Sequence, residues 1–477
     1  MAYVSSSNGV GVPSTWLVAY NDGGFGAVYP GTMPSGWPNS PNGWAFSIDD
    51  GTTWTRSNAY AVGSGGPVGW GPFHVIPPAP GQGLQTVDSA GNTAPLWAGD
   101  PTVAVSPDGT VVALANLALA KPGSSTDRVV VSLSYDGGRT FPQSFLVNDT
   151  GCYDGIQDQP TIAFDPARDV SSEQSPEFWI AFRHSGVGAG FFGACARGAR
   201  IDPDARTLSW LRPADAIDGL NRQFAQDVGG LVVQARAGIV SVMYADTSFF
   251  GRGGISSCSG TSNGTVSWFI NESTDNGDNW SNAEYIAGPA TIQCFVSGVE
   301  VGLRSFAFAQ DSSGMQYFAV PAGSDGGRSV DIWRRDRAAG PASPLLFDAR
   351  IHNRGSNGIF FPTLAADSIG RIGLLWGSQI NASAPQIEYR MTSRGLARGW
   401  DPIGVSLTPP GGLLPVVLLG QGEGSDGDYA GIAGRTSDVL VSASATREDF
   451  VGAWTDTSQL AATGTAATVM AAGLRVR

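Results

Sequence analysis

A chain of 477 residues with 66 Gly, 30 Pro, 14 % charged residues and a formal net charge of −13 excludes several classes of protein at once. So acidic a balance offers no basic footprint for nucleic acid and none for an anionic membrane, and no run of about 18 apolar residues is present to span a bilayer. The four cysteines form no C-x-x-C pair and lie far in sequence from the three histidines, which disfavours zinc.

The N-terminal MAYVSSS has neither a basic n-region nor an apolar h-region, so it does not read as a signal peptide. An exported form would have had its signal replaced by an expression Met. Next come STWLVAYND (14–22) and NGWAFSIDDGTTW (42–54), two apolar strands of a unit with no clear first strand. Residues 58–97 form an insertion long for a loop in a compact domain, a kind that is often functional or disordered. Trp37, Trp44, Trp70, Phe73 and Trp97 crowd this N-terminal region. Packing between sheets is the leading use of these rings, with stacking on a ligand as the alternative.

Two recurrences organise the rest. SIDDGTTW (47–54), SYDGGRTF (134–141) and STDNGDNW (273–280) share the pattern Ser-x-Asp-x-Gly-x-(Thr/Asn)-(Trp/Phe), SYDGGRTF and SIDDGTTW carrying Thr. Its Asp accepts turn N–H groups, its Gly permits unusual backbone angles, and its terminal ring packs between sheets. The second recurrence is a hairpin of two apolar strands about an Asp-, Gly- or Ser-rich turn. It starts near Asp100, Asp158, Asp227, Gly302, Phe361 and Asp428, so the unit is about 50–75 residues long. Four strands in such a unit make a propeller blade. Six starts plus the N-terminal unit predict an all-β, seven-bladed β-propeller of four-stranded antiparallel blades, one domain over 1–477; six blades is the alternative. A short last unit, 428–477, fits ring closure, which removes sheet edges.

These motifs resemble the Asp-box, or bacterial neuraminidase, repeat, in three good copies with weaker traces near 204–210, 331–340 and 390–400. The closing GDYAGIA and GAWTDT segments resemble those of secreted bacterial proteins of this class. The resemblance implies Asp-box turns on one propeller face and ligand binding on the other, around the mouth of the central channel. Asp-box repeats occur in sialidases, other glycan hydrolases, lectin-like propellers and sorting receptors, so they imply a fold rather than an activity.

Residues just before each inner strand converge at such a mouth. They are Asp100, Asp158, Asp227, Glu300, Phe360 and Asp428, with Gln159, Gln226 and Tyr429 adjacent, and five of the six lead residues are carboxylates. Three readings stay open. Each carboxylate caps its own strand; or they form a catalytic and substrate-binding cluster, crowding separating their proton affinities; or carboxylates and carbonyls hold a Ca²⁺ ion. Arg222, Arg304 and Arg354 fall near the same starts and can grip a carboxylate. Sialidases use three arginines, a tyrosine nucleophile assisted by a glutamate, and an aspartate acid/base. The resemblance therefore implies Arg222, Arg304, Arg354, Tyr429 and Glu300 as counterparts, but the sialidase Arg-Ile-Pro segment has none here. His352 in IHNRGSNG pairs with Tyr429 in a polysaccharide-lyase reading.

The even cysteine count predicts disulfides Cys152–Cys195 and Cys258–Cys294 and an oxidising compartment, against buried free thiols. Lys121 is the only lysine, an arginine bias that fits a GC-rich bacterial genome. The expectation is a secreted, extracellular or periplasmic bacterial propeller. It acts on glycans like a glycoside hydrolase, through a carboxylate-rich pocket at the channel mouth. The alternatives are a non-catalytic propeller binding a glycan or other partner, with or without Ca²⁺, and the lyase. The ligand is an extracellular glycan or small molecule; oligomeric state is not legible.

Overall fold

The computed structural model describes residues 2–4, 14–21, 42–49, 53–58, 74–76, 85–87, 93–95, 97–119, 127–139, 141, 143–147, 157–165, 177–185, 192–211, 215–216, 228–236, 238–246, 263–293, 295–296, 299–300, 306–323, 328–340, 342–352, 359–367, 369–381, 386–394, 399–402, 404–407, 414–415, 431–434, 450–456 and 468–474. Among these there is no α-helix.

The strands form meander sheets whose spatial order follows the chain, the blade of a β-propeller. Sheet 1 holds Ala2–Val4, Thr15–Asn21, Asn42–Ser47 and Thr55–Asn58. Sheet 2 holds Trp97–Val105, Val112–Leu119, Asp127–Ser134 and Gln143–Leu146. Sheet 3 holds Gln157–Phe164, Glu177–Ser185, Phe192–Asp202 and Thr207–Trp210, with Asp215–Ala216 also on its third strand. Sheet 4 holds Val228–Arg236, Ile239–Asp246, Asn263–Ser273 and Glu284–Gln293; sheet 5 holds Ala307–Gln310, Met315–Pro321, Ser329–Asp336 and Leu346–His352. Sheet 6 holds Ile359–Ala366, Ile372–Asn381, Gln386–Arg394 and Val405–Ser406, with Leu414–Pro415 on its third strand. Sheet 7 has three described strands, Gly431–Gly434, Phe450–Asp456 and Thr468–Leu474.

The all-β blade architecture is the one expected. Two details differ. The N-terminal unit does possess a first strand, Ala2–Val4, paired with Thr15–Leu17; three residues are too few to show a period. The 58–97 insertion carries a small sheet of its own, His74–Ile76, Gln85–Val87 and Thr93–Pro95.

Contacts gather the chain into two compact units. The first comprises Met1–Gly219, Ala235–Val240 and Ser273–Trp280; the second comprises Leu220–Gln234, Ser241–Glu272 and Ser281–Arg477. Within the first, sheet 2 buries both faces. Ala113, Ala115, Leu117, Val129 and Val131 pack on Ile162, Phe164, Phe178 and Phe182 of sheet 3. Val112, Leu114 and Val130, one residue out of phase, pack on Leu17 and Trp44 of sheet 1. Period-2 alternation therefore feeds two cores, and the strands read as nearly continuous apolar runs. The second unit repeats the scheme. Phe306 and Phe308 of sheet 5 face Met243 and Trp268 of sheet 4, while Ala307 and Ala309 face Ile359 and Leu364 of sheet 6.

The three Ser-x-Asp turns share one geometry. Asp49 accepts the Ser47 and Thr53 hydroxyls and the Thr53 N–H, at 2.8, 2.6 and 2.8 Å. Asp136 accepts the Ser134 hydroxyl and the Arg139 N–H, and Asp275 accepts the Ser273 hydroxyl with the N–H and amide of Asn279. In the second and third copies the Ser oxygen also accepts the glycine N–H, from Gly138 at 2.9 Å and Gly277 at 2.7 Å. Each of these glycines sits at φ +84° against the second strand of the preceding sheet, Gly138 over Leu17 and Gly277 over Trp179. Trp44 reinforces the first seat, donating its indole N–H to the Gly138 carbonyl at 2.9 Å and meeting Phe141 edge-on. That use of Trp44 is packing.

Candidate functional site at the first-strand starts

The first strands of sheets 2 and 3 pack side by side in the first unit. Each carries an X-Pro-Thr segment near its start: Asp100-Pro101-Thr102 and Gln159-Pro160-Thr161. Phe361-Pro362-Thr363 repeats the pattern in sheet 6. The residue ahead of each proline is left-handed: Asp100 at φ 55°, Gln159 at 52° and Phe361 at 48°. The ladder register breaks at the same place, between Gly99 and Thr102, Asp158 and Thr161, and Phe360 and Thr363. Proline supplies no ladder N–H, and a bulge re-aims the side chains around it. Non-glycine residues held in this backbone region cost on the order of 1–3 kcal/mol and persist where the surroundings enforce them.

Asp158 is held from two sides. Its Oδ1 accepts the Gln159 N–H at 2.9 Å, and its Oδ2 lies 3.1 Å from Arg183 Nε, with side-chain exposures of 23 % and 8 %. Arg183 is the cross-strand partner of Asp158, so the sheet itself sets the pair face to face. Beside it, Gln157 is buried and accepts the Val129 N–H of sheet 2 at 2.8 Å, tying the start of sheet 3 to its neighbour. His184 is buried opposite Gln157. The result is a buried guanidinium behind a partly exposed carboxylate, next to half-buried Gln159.

Opposite the Asp100–Pro101 bulge stands Asn116, between Ala115 and Leu117, which pair with Thr102 and Gly99. It is fully buried, its amide N–H donates to the Leu117 carbonyl at 3.1 Å, and its Oδ1 has no partner. The matching positions in sheets 3 and 6 are Phe182 and Trp376, both 0 % exposed apolar plugs.

Asp100, Asp158 and Gln159 are thus brought to adjacent strand starts. His352 ends the outer strand of sheet 5, exposed, its Nδ1 3.2 Å from Ser329 Oγ and its N–H donating to the Pro402 carbonyl. Glu300 and Phe360 are placed by backbone only, in a two-residue strand and in the sheet 6 first strand. Asp227, Asp428, Tyr429, Arg222, Arg304 and Arg354 lie outside the described residues, as do Cys152, Cys258 and Cys294. Cys195 is buried and disulfide-bonded. Among the described residues no group of three or more His, Cys, Asp and Glu could hold a metal ion, and no helix is long and apolar enough to cross a membrane. Sequence reasoning missed Arg183 and Asn116. The available signal was a lone charged or amide residue inside an apolar strand, in WIAFRHS and in VVALANLALA.

No family profile and no curated protein matches the chain. Among solved structures, it is similar to an α-L-arabinanase of Penicillium chrysogenum in complex with arabinobiose, at 14 % identity over 78 % of this chain and 92 % of that one, with a TM-score of 0.44. It is also similar to a Hadza microbial sialidase, at 14 % identity over 82 % and 73 % of the two chains, TM-score 0.45. A Trypanosoma rangeli sialidase in complex with the inhibitor DANA matches at 10 % identity over 80 % of this chain and 56 % of that one, TM-score 0.41. At these values the likenesses transfer no chemistry.

Proposed function

We propose that this protein is a glycan-active propeller whose ligand site lies at the first-strand starts of sheets 2 and 3. The observation that carries the reading is Asp158, a partly exposed carboxylate fixed by the buried Arg183 guanidinium and by the N–H of the left-handed, half-buried Gln159. A carboxylate anchored in this way is preorganised to accept hydrogen bonds from a bound hydroxyl. The reaction class is glycoside hydrolysis, with Asp158 as base or nucleophile. The disulfide at Cys195 supports an oxidising, extracellular or periplasmic location.

Asp158→Asn tests the reading. Turnover of a cleaved oligosaccharide falls by about 10²–10⁴-fold if Asp158 takes part in proton transfer. The second reading is a non-catalytic glycan binder. It is favoured by the same observation, since both Asp158 oxygens already have partners. On that reading the wild type binds oligosaccharide without cleaving it, and Asp158→Asn weakens binding alone.

A further inference from the structure

Sheets 5 and 6 meet at a charged cluster that the glycan site does not use. Its centre is Asp348, the third residue of the outer strand of sheet 5. The ladder pairs Trp333 with Phe347 and Ile332 with Ala349, so Asp348 is the extra residue of a bulge. A bulge re-aims the side chain it carries. Here it aims a carboxylate only 8 % exposed at two guanidinium groups. Arg334 Nε, on the third strand of the same sheet, lies 3.0 Å from Oδ1. Arg394 Nε, at the end of the third strand of sheet 6, lies 3.2 Å from Oδ2, to which the Trp400 indole N–H donates at 2.7 Å. The Arg394 guanidinium also packs over the ring of buried Tyr317, 5.8 Å from its centroid.

Two cations thus share one anion. Among the described residues neither guanidinium has an ion pair beyond Asp348, and neither donates a hydrogen bond from its Nη groups. Asp336, two residues along from Arg334, accepts the Ala339 N–H at 3.1 Å instead. The cluster therefore holds an excess of positive charge in a chain whose net charge is −13. The two arginine side chains are 34 % and 22 % exposed, so the surplus donors reach solvent. Opposite Arg334 in the ladder, on the same face, stands Leu346, half exposed. The cluster lies at the end of these sheets away from their first-strand starts, because the third strand of a meander finishes where the first one finishes.

We propose that Arg334 and Arg394 form a second ligand site, which takes the carboxylate of an organic acid, such as an acidic sugar, whose body rests on Leu346. Asp348 occupies the Nε edges of both guanidinium groups and leaves their Nη donors for the ligand. A planar guanidinium fork matches carboxylate oxygens in pairs, and the charge strengthens each hydrogen bond. The site shares no residue with the one around Asp158, so each can fail alone.

The test is calorimetric titration of the whole protein with glucuronate, with glucose as its neutral analogue of equal size, and with acetate as the bare carboxylate. Glucuronate should bind at least about tenfold tighter than glucose, with an affinity that falls as salt is raised. Arg334→Gln and Arg394→Gln should each weaken glucuronate by about tenfold or more. Arg334→Lys keeps a charge beside Asp348 but loses the fork, so it should hold the thermal midpoint and still lose several-fold in affinity. Leu346→Ser, at an exposed position, should weaken glucuronate and leave acetate unchanged. Glucuronate that binds no tighter than glucose overturns the proposal, as does affinity unchanged in Arg334→Lys and in both glutamine variants. Acetate binding as tightly as glucuronate overturns the organic ligand in favour of a free ion. Glucuronate binding lost in Asp158→Asn but kept in the arginine variants places the acid at the other site and overturns this one.

Discussion

Two aspartates in similar turns answer to opposite physics. Asp275 is only partly buried, and hydrogen bonds from the Asn279 amide, the Asn279 N–H and the Ser273 hydroxyl hold its pKa down to about 2 from 3.8. Asp49 is lowered in the same way, chiefly by Thr53. Asp367 accepts the N–H groups of Ile369 and Arg371 but is buried, and desolvation raises its pKa despite the Arg371 guanidinium. Exposure decides the sign. Because the Asp275 pKa is depressed in the fold, the stability it lends is complete above its ordinary value of 3.8 and fades as pH falls towards 2. The thermal midpoints of wild type and Asp275→Ala should therefore differ at pH 6 and converge near pH 2, which a pH series of melting curves checks. These turns were legible in sequence, since a short Asp-centred motif encodes its own local hydrogen bonds. Arg183 was not: its meaning depends on a cross-strand neighbour some 25 residues away, which a one-dimensional pattern does not specify.

At the scale of the element, glycines and bulges carry separable costs. A Cβ at Gly277 would lie 2.5 Å from the Trp179 ring, whereas one at Gly340, φ +122°, would meet nothing within 4 Å. Both alanine variants bear backbone strain, but Gly277→Ala should be the worse by about 2 kcal/mol, the typical cost of overpacking. Chemical denaturation of the two variants decides it. The bulges invite the converse change. Asp100→Gly should relieve the left-handed strain and raise the melting temperature by a few degrees. Unchanged or lower stability would show that Asp100 is not strained. The Pro-Thr pairs that mark these bulges stand in plain view in the sequence. Their backbone does not, because a residue before proline is expected in extended geometry.

At the scale of the molecule, sheets are joined by more than apolar contact. In the second unit Glu272 of sheet 4 accepts from Ser241 at 2.7 Å, Gln316 at 3.0 Å and Arg337 at 2.9 Å, and lies 3.4 Å from Arg335. Gln316 and Arg335 belong to sheet 5 and Arg337 directly follows its third strand, so this buried network ties two sheets together. Glu272→Ala strands the buried Arg337 guanidinium, while Arg335 keeps Gln316 and Glu284, and should cost about 3–5 kcal/mol. Glu284 also meets Arg335 but is 48 % exposed, so Glu284→Ala should cost about 1 kcal/mol or less. Urea titration of both variants separates a specific network from general surface charge. The alternating strands and repeat length made the sheet series readable from sequence. The network was not, because a glutamate just ahead of a Ser-x-Asp turn looks like surface.

The seating of Gly138 on Leu17 and of Gly277 on Trp179 runs in one direction along the chain: a later turn covers an earlier strand. A sheet is therefore left with a bare apolar side chain until the next one has been synthesised. Each of these two seats closes only once the following sheet is in place. Truncations ending after Phe164 should leave Leu17 protected from exchange and proteolysis, whereas truncations ending after Leu119 should not.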